Sequence, residues 1–453
     1  MEHFDIIIIG SGLTGLTVAH YLNKNGKKFK VLEKKSSFGG VINTINENGF
    51  TYEEGPNTGV IGQPEVAELF EELSDLCELE IANEQVKKRY ILKNGKWEAL
   101  PGGLKAAIKT PLFTTKDKFR ILLEPFRKPG TNPHETLAEL VKRRMGQSFL
   151  NYAIDPFILG VYSGDPNILV PKYALPKLYN LEQNYGSFIG GAVKKKFEKK
   201  DERMKKATRE VFSAKGGLSS LTEALFKSAG KNNFNFNAEG IKVKPENGKF
   251  IISTKINGKE QAYKSNKVIT TIGAYNLADI LPFIDNNDID KISALYYARV
   301  IEVTLGFNEW KGFNLDGFGG LVPHIEKRDI LGVLFLSSLL KNKAPEGGAL
   351  LTVFMGGVRR DELVDLPNDK IKSIIESEIT ETMCLDEFKP DLFKIVRHEK
   401  AIPQYAADSG IRFETIDKIQ NQYPGLIIAG NLRDGIGMAD RIKQGKMLAE
   451  QVL

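Results

Sequence analysis

A chain of 453 residues is longer than one ordinary hydrophobic core and is expected to divide into two or three domains. With 42% hydrophobic and 26% charged residues it has the composition of a soluble globular protein, and a net charge of +6 is too mild over this length to argue for nucleic acid. Two cysteines, Cys77 and Cys384, stand far apart in no metal or redox spacing, which with five scattered histidines argues against a disulfide framework or a structural metal site. Both cysteines read as buried small hydrophobes in a reducing compartment. No stretch reaches the roughly 20 apolar residues that span a bilayer, and the opening isoleucine run is too short for a signal peptide and lacks a cleavage pattern.

The chain opens on Phe4-Asp5-Ile6-Ile7-Ile8-Ile9-Gly10-Ser11-Gly12-Leu13-Thr14-Gly15. Four isoleucines ending in a glycine turn predict a fully buried parallel strand. Gly10, Gly12 and Gly15 then fit G-x-G-x-x-G: a tight turn, a backbone able to approach a pyrophosphate, and close packing of the next helix on the strand. That helix is expected from about Leu13 to Asn25, with its free N–H groups aimed at the phosphates. A second strand, Lys30-Val31-Leu32, ends at Glu33, whose carboxylate is placed to accept hydrogen bonds from ribose hydroxyls. Strand, turn, helix, strand and acid in that order predict a dinucleotide site.

Further on, Pro64 to Leu79 has helical spacing of apolar residues, and Asn94-Gly95 predicts a hairpin between Arg89–Leu92 and Lys96–Leu100. From Pro101 to about Arg209 the chain reads as helical and basic. Strands are expected at Phe234–Ile241, Phe250–Ile256, Gln261–Tyr263 and Lys267–Thr271. Val300–Phe307, Gly332–Phe335 and Leu350–Phe354 look like strands of a further sheet, followed by a helix over Lys370–Met383. A last buried strand, Leu426–Ala429, precedes Gly430-Asn431 and a final helix. Its return to the first sheet would make the nucleotide domain discontinuous.

Beyond the nucleotide motif, Gly39-Gly40, Gly49-Phe50 and Glu54-Gly55-Pro56-Asn57 resemble the extended FAD motif of the flavin amine oxidase superfamily, which includes protoporphyrinogen oxidases. The family's arginines around the glycine pair are replaced here by Lys35, Ser37 and Val41. Blocks in the family's order continue over nearly the whole chain: Arg89-Tyr90 to Gly95-Lys96, Gly160-Val161-Tyr162-Ser163-Gly164-Asp165-Pro166, and Leu181-Glu182-Gln183 to Gly186-Ser187. Lys215-Gly216-Gly217-Leu218, Gly317 to Pro323, Ala401-Ile402-Pro403-Gln404-Tyr405, and Gly430-Asn431 to Gly437-Met438-Ala439-Asp440 complete the series.

The resemblance implies an α/β fold: an FAD-binding Rossmann-like domain of p-hydroxybenzoate hydroxylase type, a mixed α/β substrate domain and a helical insertion. We expect residues 1–80, 210–285 and 396–453 in the FAD-binding domain. Residues 81–100 and 286–395 would form the substrate domain, and 101–209 the insertion. FAD contacts carried over are Gly10, Ser11, Gly12, Leu13, Thr14, Gly15, Glu33, Lys34, Gly39, Gly40, Gly55, Pro56, Asn57, Ile241 (against adenine), Gly430, Gly437, Met438 and Ala439. Substrate contacts are Arg89, pairing with a propionate, and Gly160 and Gly164 in a turn beside the pocket. Phe318, Leu321, Leu334 and Phe354 would be apolar walls, and Gly319 would let pyrrole rings approach backbone. Ile402 and Tyr405 would face the flavin.

The implied reaction is oxidation of protoporphyrinogen IX to protoporphyrin IX in haem synthesis, by three hydride transfers from substrate to flavin N5 with O2 as acceptor. It needs no metal, and no protein side chain as nucleophile. Coproporphyrinogen III oxidation to coproporphyrin III stays open, as do an amine oxidase and a non-catalytic porphyrin-binding flavoprotein. In the insertion, Lys105, Lys109, Lys116, Lys118, Arg120, Arg127 and Lys128 alternate with Leu104, Ile108, Leu112, Phe113, Phe119, Ile121, Leu122 and Phe126. That pattern suits anionic lipid, so the location expected is cytoplasmic with peripheral contact on the inner face of the membrane. A homodimer is among the partners this reading allows.

Overall fold

Ile6 to Ile9 are all buried because strand β1 (Glu2–Ile9) is covered on both faces. Alternate side chains of a strand point to opposite sides. Ile6 and Ile8 therefore enter one core with Leu13 and Leu16 of helix α1 (Leu13–Lys24), while Ile7 and Ile9 enter a second, with Val268 and Ile428. The computed structural model describes residues 1–199 and 201–453, the side chain of Leu104 excepted. That apolar position of the basic stretch, and Lys200, lie outside the described residues.

Strand β2 (Phe29–Leu32) pairs in parallel with one edge of β1, and Lys259–Thr270 with the other, in register Ile7↔Val268 and Ile9↔Thr270. Leu426–Ile428 joins Lys259–Thr270 in parallel, so the last strand does return to the first sheet. Phe234–Asn235 extends the sheet beyond β2, and Lys249–Ile256 and Ala238–Glu246 add antiparallel strands at the other end. The two pieces expected at Gln261–Tyr263 and Lys267–Thr271 are thus one strand. The single strand expected at Phe234–Ile241 is two, because Asn237 sits at φ 53° and breaks the pairing.

A second seven-stranded sheet runs in the order Leu392–Pro403, Tyr297–Phe307, Ala349–Gly356, Ile330–Phe335, Gly317–Leu321, Lys88–Lys93, Lys96–Ala99. One face (Ile301, Val303, Leu305, Val333, Phe335, Val353) packs on Ile371, Ile375 and Ile379 of helix Asn368–Thr382. The hairpin turns at Asn94 and Gly95, both at positive φ, as the sequence predicts.

The expected helix over Pro64–Leu79 stops at Glu72. Leu73 and Cys77 stay buried after the chain has left the helix, and Leu79–Ile81 is a strand against Val211–Ala214. Burial, not helical geometry, carries the apolar spacing there. Cys77 is buried and its thiol is pushed up to about 11 by desolvation, but Cys384 is exposed. It takes the left-handed position (φ 53°) just past helix Asn368–Thr382, where the turning chain leaves the core. Between Ala99 and Val211 the described residues contain helices and no strand, and no described helix is long and apolar enough to cross a membrane.

Candidate active site

The three glycines of the nucleotide motif have different neighbours. Gly10 has φ 102° and turns the chain. A Cβ on Gly15 would stand 2.0 Å from the Gly10 carbonyl oxygen, so the bare Cα is what lets α1 lie on the strand. Around a Cβ on Gly12 there is nothing within 4 Å: that position borders open space at the N-terminus of α1. Gly40 (φ 70°) brings its Cα side against Gly12, 3.0 Å from a would-be Cβ, and the Gly39 N–H donates to the Ser11 carbonyl at 2.9 Å. Gly55 (φ 131°) leaves room only for the Val41 carbonyl, 2.2 Å from its would-be Cβ. Lys34 is exposed beside them.

Glu33 is buried where β2 ends. Its Oε2 accepts from the Ser11 N–H (2.8 Å) and hydroxyl (2.7 Å), and its Oε1 from the Lys35 N–H (2.8 Å). A carboxylate offers about four acceptor positions, so about one remains for a ribose hydroxyl. Ile241 lies in a bulge of the Ala238–Glu246 strand and its side chain is in the core with Ile7 and Ile9.

The final helix, Met438–Val452, starts at Gly437 and runs parallel to α1: the Thr14 hydroxyl donates to the Arg441 carbonyl at 3.4 Å, and a Cβ on Gly445 would be 2.6 Å from Thr17 Cβ. Two helix N-termini, each with unpaired N–H groups and a partial positive charge, thus emerge side by side. Gly430 (φ 103°) closes against Thr271 and Ile272, and its N–H donates to Gln444 Oε1 at 3.0 Å. The Tyr405 hydroxyl donates to the Asn431 carbonyl at 2.8 Å, and Ile402 is half-buried.

Strand register gathers the expected substrate residues. Gly319 pairs with both Arg89 and Leu334, Leu321 with Ile91 and Gly332, and Phe354 with Gly332 and Glu302, so these residues share the face of the second sheet opposite the Ile371 helix. A bulge between Gly317 and Gly319 turns Phe318 to the same side, against Leu334 and Phe354. Arg89 is exposed, its guanidinium 5.3 Å from the Phe318 ring centroid, and among the described residues it forms no ion pair. Its neighbour Lys88 is engaged by Asp316 at 2.5 Å.

Three expectations change in detail. Gly319 has φ 149°, but the space a Cβ would fill is taken by the Val333 carbonyl at 2.3 Å, so its bare Cα serves strand packing. Gly160 is inside helix Asp155–Tyr162, not in a turn; a Cβ there would be 2.3 Å from Leu321 Cδ2, which puts the helix directly on the sheet face. Gly164 follows the left-handed Ser163 and packs on Gln404.

Two buried charged residues that sequence reasoning passed over stand in the candidate site. Glu302, 1% exposed, accepts from Asn57 Nδ2 (2.6 Å), the Gly55 N–H (2.9 Å) and His398 Nε2 (3.2 Å), tying the Gly55–Asn57 loop to the sheet. A lone acid inside Val300-Ile301-Glu302-Val303 was the available signal. The other is Arg441, 8% exposed. It donates to Gln444 Oε1 (2.7 Å) and the Arg433 carbonyl (2.9 Å), its Nε has no partner, and no carboxylate of the described residues lies within ion-pair distance. A buried cation without a counter-charge, next to two helix N-termini and an open glycine, fits an anionic dinucleotide.

The pattern defines a flavin oxidoreductase, and the match to known families is in accord. Residues 13–453 match the model for flavin containing amine oxidoreductases, so the chain belongs to that family and FAD is its cofactor. It is 30% identical to protoporphyrinogen oxidase 2 (chloroplastic/mitochondrial) of Arabidopsis thaliana, over 99% of this chain and 93% of the relative. It is 24% identical to coproporphyrinogen III oxidase of Bacillus subtilis (strain 168), over 99% and 97%. A crystal structure from Exiguobacterium sp. 255-15, provisionally assigned as a protoporphyrinogen oxidase, superimposes with a TM-score of 0.82 at 21% identity, covering 100% of this chain and 98% of that one.

Proposed function

We propose that this enzyme oxidises a porphyrinogen to the porphyrin in haem biosynthesis, with protoporphyrinogen IX preferred over coproporphyrinogen III and O2 as acceptor. The observation that carries the reading is the single sheet face on which Leu321, Leu334, Phe354 and the bulged Phe318 meet a free guanidinium, Arg89. A macrocycle with apolar rings and carboxylates along one edge is matched by such a surface. Guanidinium to carboxylate is a bidentate, charge-assisted contact, and one free arginine suits two propionates on one edge better than four spread around the ring.

FAD, when bound, supplies the two-electron chemistry. The chain's own part is placement. Gly12, the paired helix N-termini and Arg441 would hold the diphosphate, and Glu302 fixes the Gly55–Asn57 loop against the sheet. Leu321, Leu334 and Phe354 would keep water from the ring face while Arg89 sets its orientation. The substrate roles of Gly160, Gly164 and Gly319 belong to the same proposal as backbone positions beside that face. So do FAD contacts by Glu33, Lys34, Gly39, Gly40, Pro56, Ile241, Met438 and Ala439.

The test is porphyrin fluorescence under air with the purified yellow protein and each porphyrinogen. We expect faster turnover of protoporphyrinogen IX. Arg89→Ala should raise KM about 10- to 100-fold with little change in kcat, as loss of a charged hydrogen bond worth about 1.5–3 kcal/mol predicts. Preference for coproporphyrinogen III would transfer the enzyme to that substrate, and flavin without turnover of either would overturn the proposal. For location, the insertion leaves Ile108, Phe119, Leu122 and Phe126 62–84% exposed among its lysines and arginines, which supports peripheral contact with anionic lipid.

A further inference from the structure

A cavity of about 810 Å³ opens in the helical region, away from the flavin motif, and its chemistry is unusual for a surface hollow. Four cations line it: Lys116, Arg120, Arg127 and Lys142. Among the described residues none of the four forms an ion pair. Arg120 donates from Nη2 to the Lys142 carbonyl at 3.0 Å and Arg127 from Nη1 to the Arg143 carbonyl at 3.2 Å, while the Nε of each is buried with no partner. The acid on the wall, Asp117, is occupied at the start of helix Thr115–Leu122, accepting from the Thr114 hydroxyl at 2.6 Å and N–H at 3.1 Å.

The arginines are built in. Gly146 has φ 97°, and a Cβ there would stand 2.6 Å from Arg120 Cδ and Nε, so the stem of Arg120 lies where a side chain would be. Arg127 is anchored through its carbonyl, which accepts from Nη1 of the fully buried Arg144 at 3.2 Å. Beside these charges Phe119 is 64% and Leu123 56% exposed, and Tyr152 lines the same hollow. Unpaired guanidinium donors call for an oxyanion, because buried polar groups left without partners are costly. Exposed apolar side chains next to them call for an apolar body.

We propose that this cavity is a binding site for an anionic amphiphile, one molecule with a phosphate or carboxylate head on the Arg120–Arg127 pair and an apolar tail over Phe119 and Leu123. The inference deepens the anionic-lipid contact proposed above for the insertion and rests on that reading, while its readout, binding of dodecyl phosphate without a membrane, is separate from vesicle binding and from porphyrinogen turnover.

Calorimetry on the FAD-loaded protein tests it with dodecyl phosphate below its micelle concentration, and with inorganic phosphate as the head alone. Dodecyl phosphate should bind saturably, one per chain, and at least tenfold tighter than inorganic phosphate. The pair Arg120→Gln and Arg127→Gln should weaken it at least tenfold, with lysine at both positions intermediate because an ammonium lacks the planar fork. Phe119→Ser should weaken dodecyl phosphate but not inorganic phosphate, which keeps the test sound where the arginine variants do not fold. An unchanged flavin spectrum certifies each variant. Equal binding by wild type and the glutamine pair, or equal affinity for the two phosphates, would overturn the proposal. Vesicles identify the source: loss of phosphatidylglycerol binding in the glutamine pair assigns a bilayer headgroup, and dodecyl phosphate binding without any vesicle dependence assigns a soluble amphiphile.

Discussion

Gly15 can carry no side chain, whereas Gly12 has room for one, and that contrast separates packing from ligand contact within a single motif. Gly15→Ala should destabilise the apoprotein by about 1–3 kcal/mol, the ordinary cost of overpacking. Gly12→Ala should leave apoprotein stability within about 0.5 kcal/mol and lower FAD affinity instead. Urea denaturation and FAD titration measure the two quantities, and a destabilised Gly12→Ala apoprotein would contradict the assignment of open space. At this scale the three glycines, Glu33 and Asn94-Gly95 were readable because local geometry dictates them. Glu302 and Arg441 were not, since their meaning lies in partners brought from Asn57, His398, Gln444 and Arg433.

Helices in the basic region hang on a buried charge cluster that composition hides. Arg144 is fully buried between Glu124 and Glu182, bonded to Glu182 Oε1 at 2.9 Å and to Glu124 through Nε. Glu124 also accepts from the Ser187 hydroxyl (2.7 Å) and the N–H groups of Phe188 and Ile189 (3.0 Å each), satisfying the start of helix Phe188–Phe197. Arg144→Leu should therefore cost about 3–5 kcal/mol by stranding buried carboxylates, measured by thermal or urea unfolding. A cost under about 1 kcal/mol would show that the cluster is not the anchor. In sequence, Lys142-Arg143-Arg144 is three adjacent cations with nothing to tell them apart. Only the fold separates an exposed lysine, a half-buried arginine and an arginine with no exposure at all.

Across the whole molecule, the contacts that lock the Pro64–Glu72 helix to its neighbours set the acid sensitivity. Burial holds the His20 imidazole below its ordinary value of 6.5, beside Glu72 at 3.4 Å. The unfolded chain then binds the extra proton first, so stability is lost as pH falls below about 6.5. Arg203, and then Lys446 of the final helix, hold the Glu68 carboxyl down to about 2, so a second loss runs from about 4.5 towards 2. Melting temperature against pH should show both phases, with His20→Gln removing the upper one; a flat profile between pH 7 and 5 in the unmodified protein would refute that part. The two-sheet plan was legible from buried runs and turns, although the pairing of Lys259–Thr270 with β1 on one side and Leu426–Ile428 on the other was not. That strand also sets a timetable. Thr271 bonds to the carbonyl of Ile9 across 262 residues, so at roughly 5–20 residues per second a nascent β1 waits tens of seconds for its neighbour. The strand Leu426–Ile428 and the helix Met438–Val452 come later still. The four-isoleucine strand is thus born with β2 soon at one edge and the other edge left bare, in need of shelter. The nucleotide cradle stays incomplete until the Met438–Val452 helix has been made.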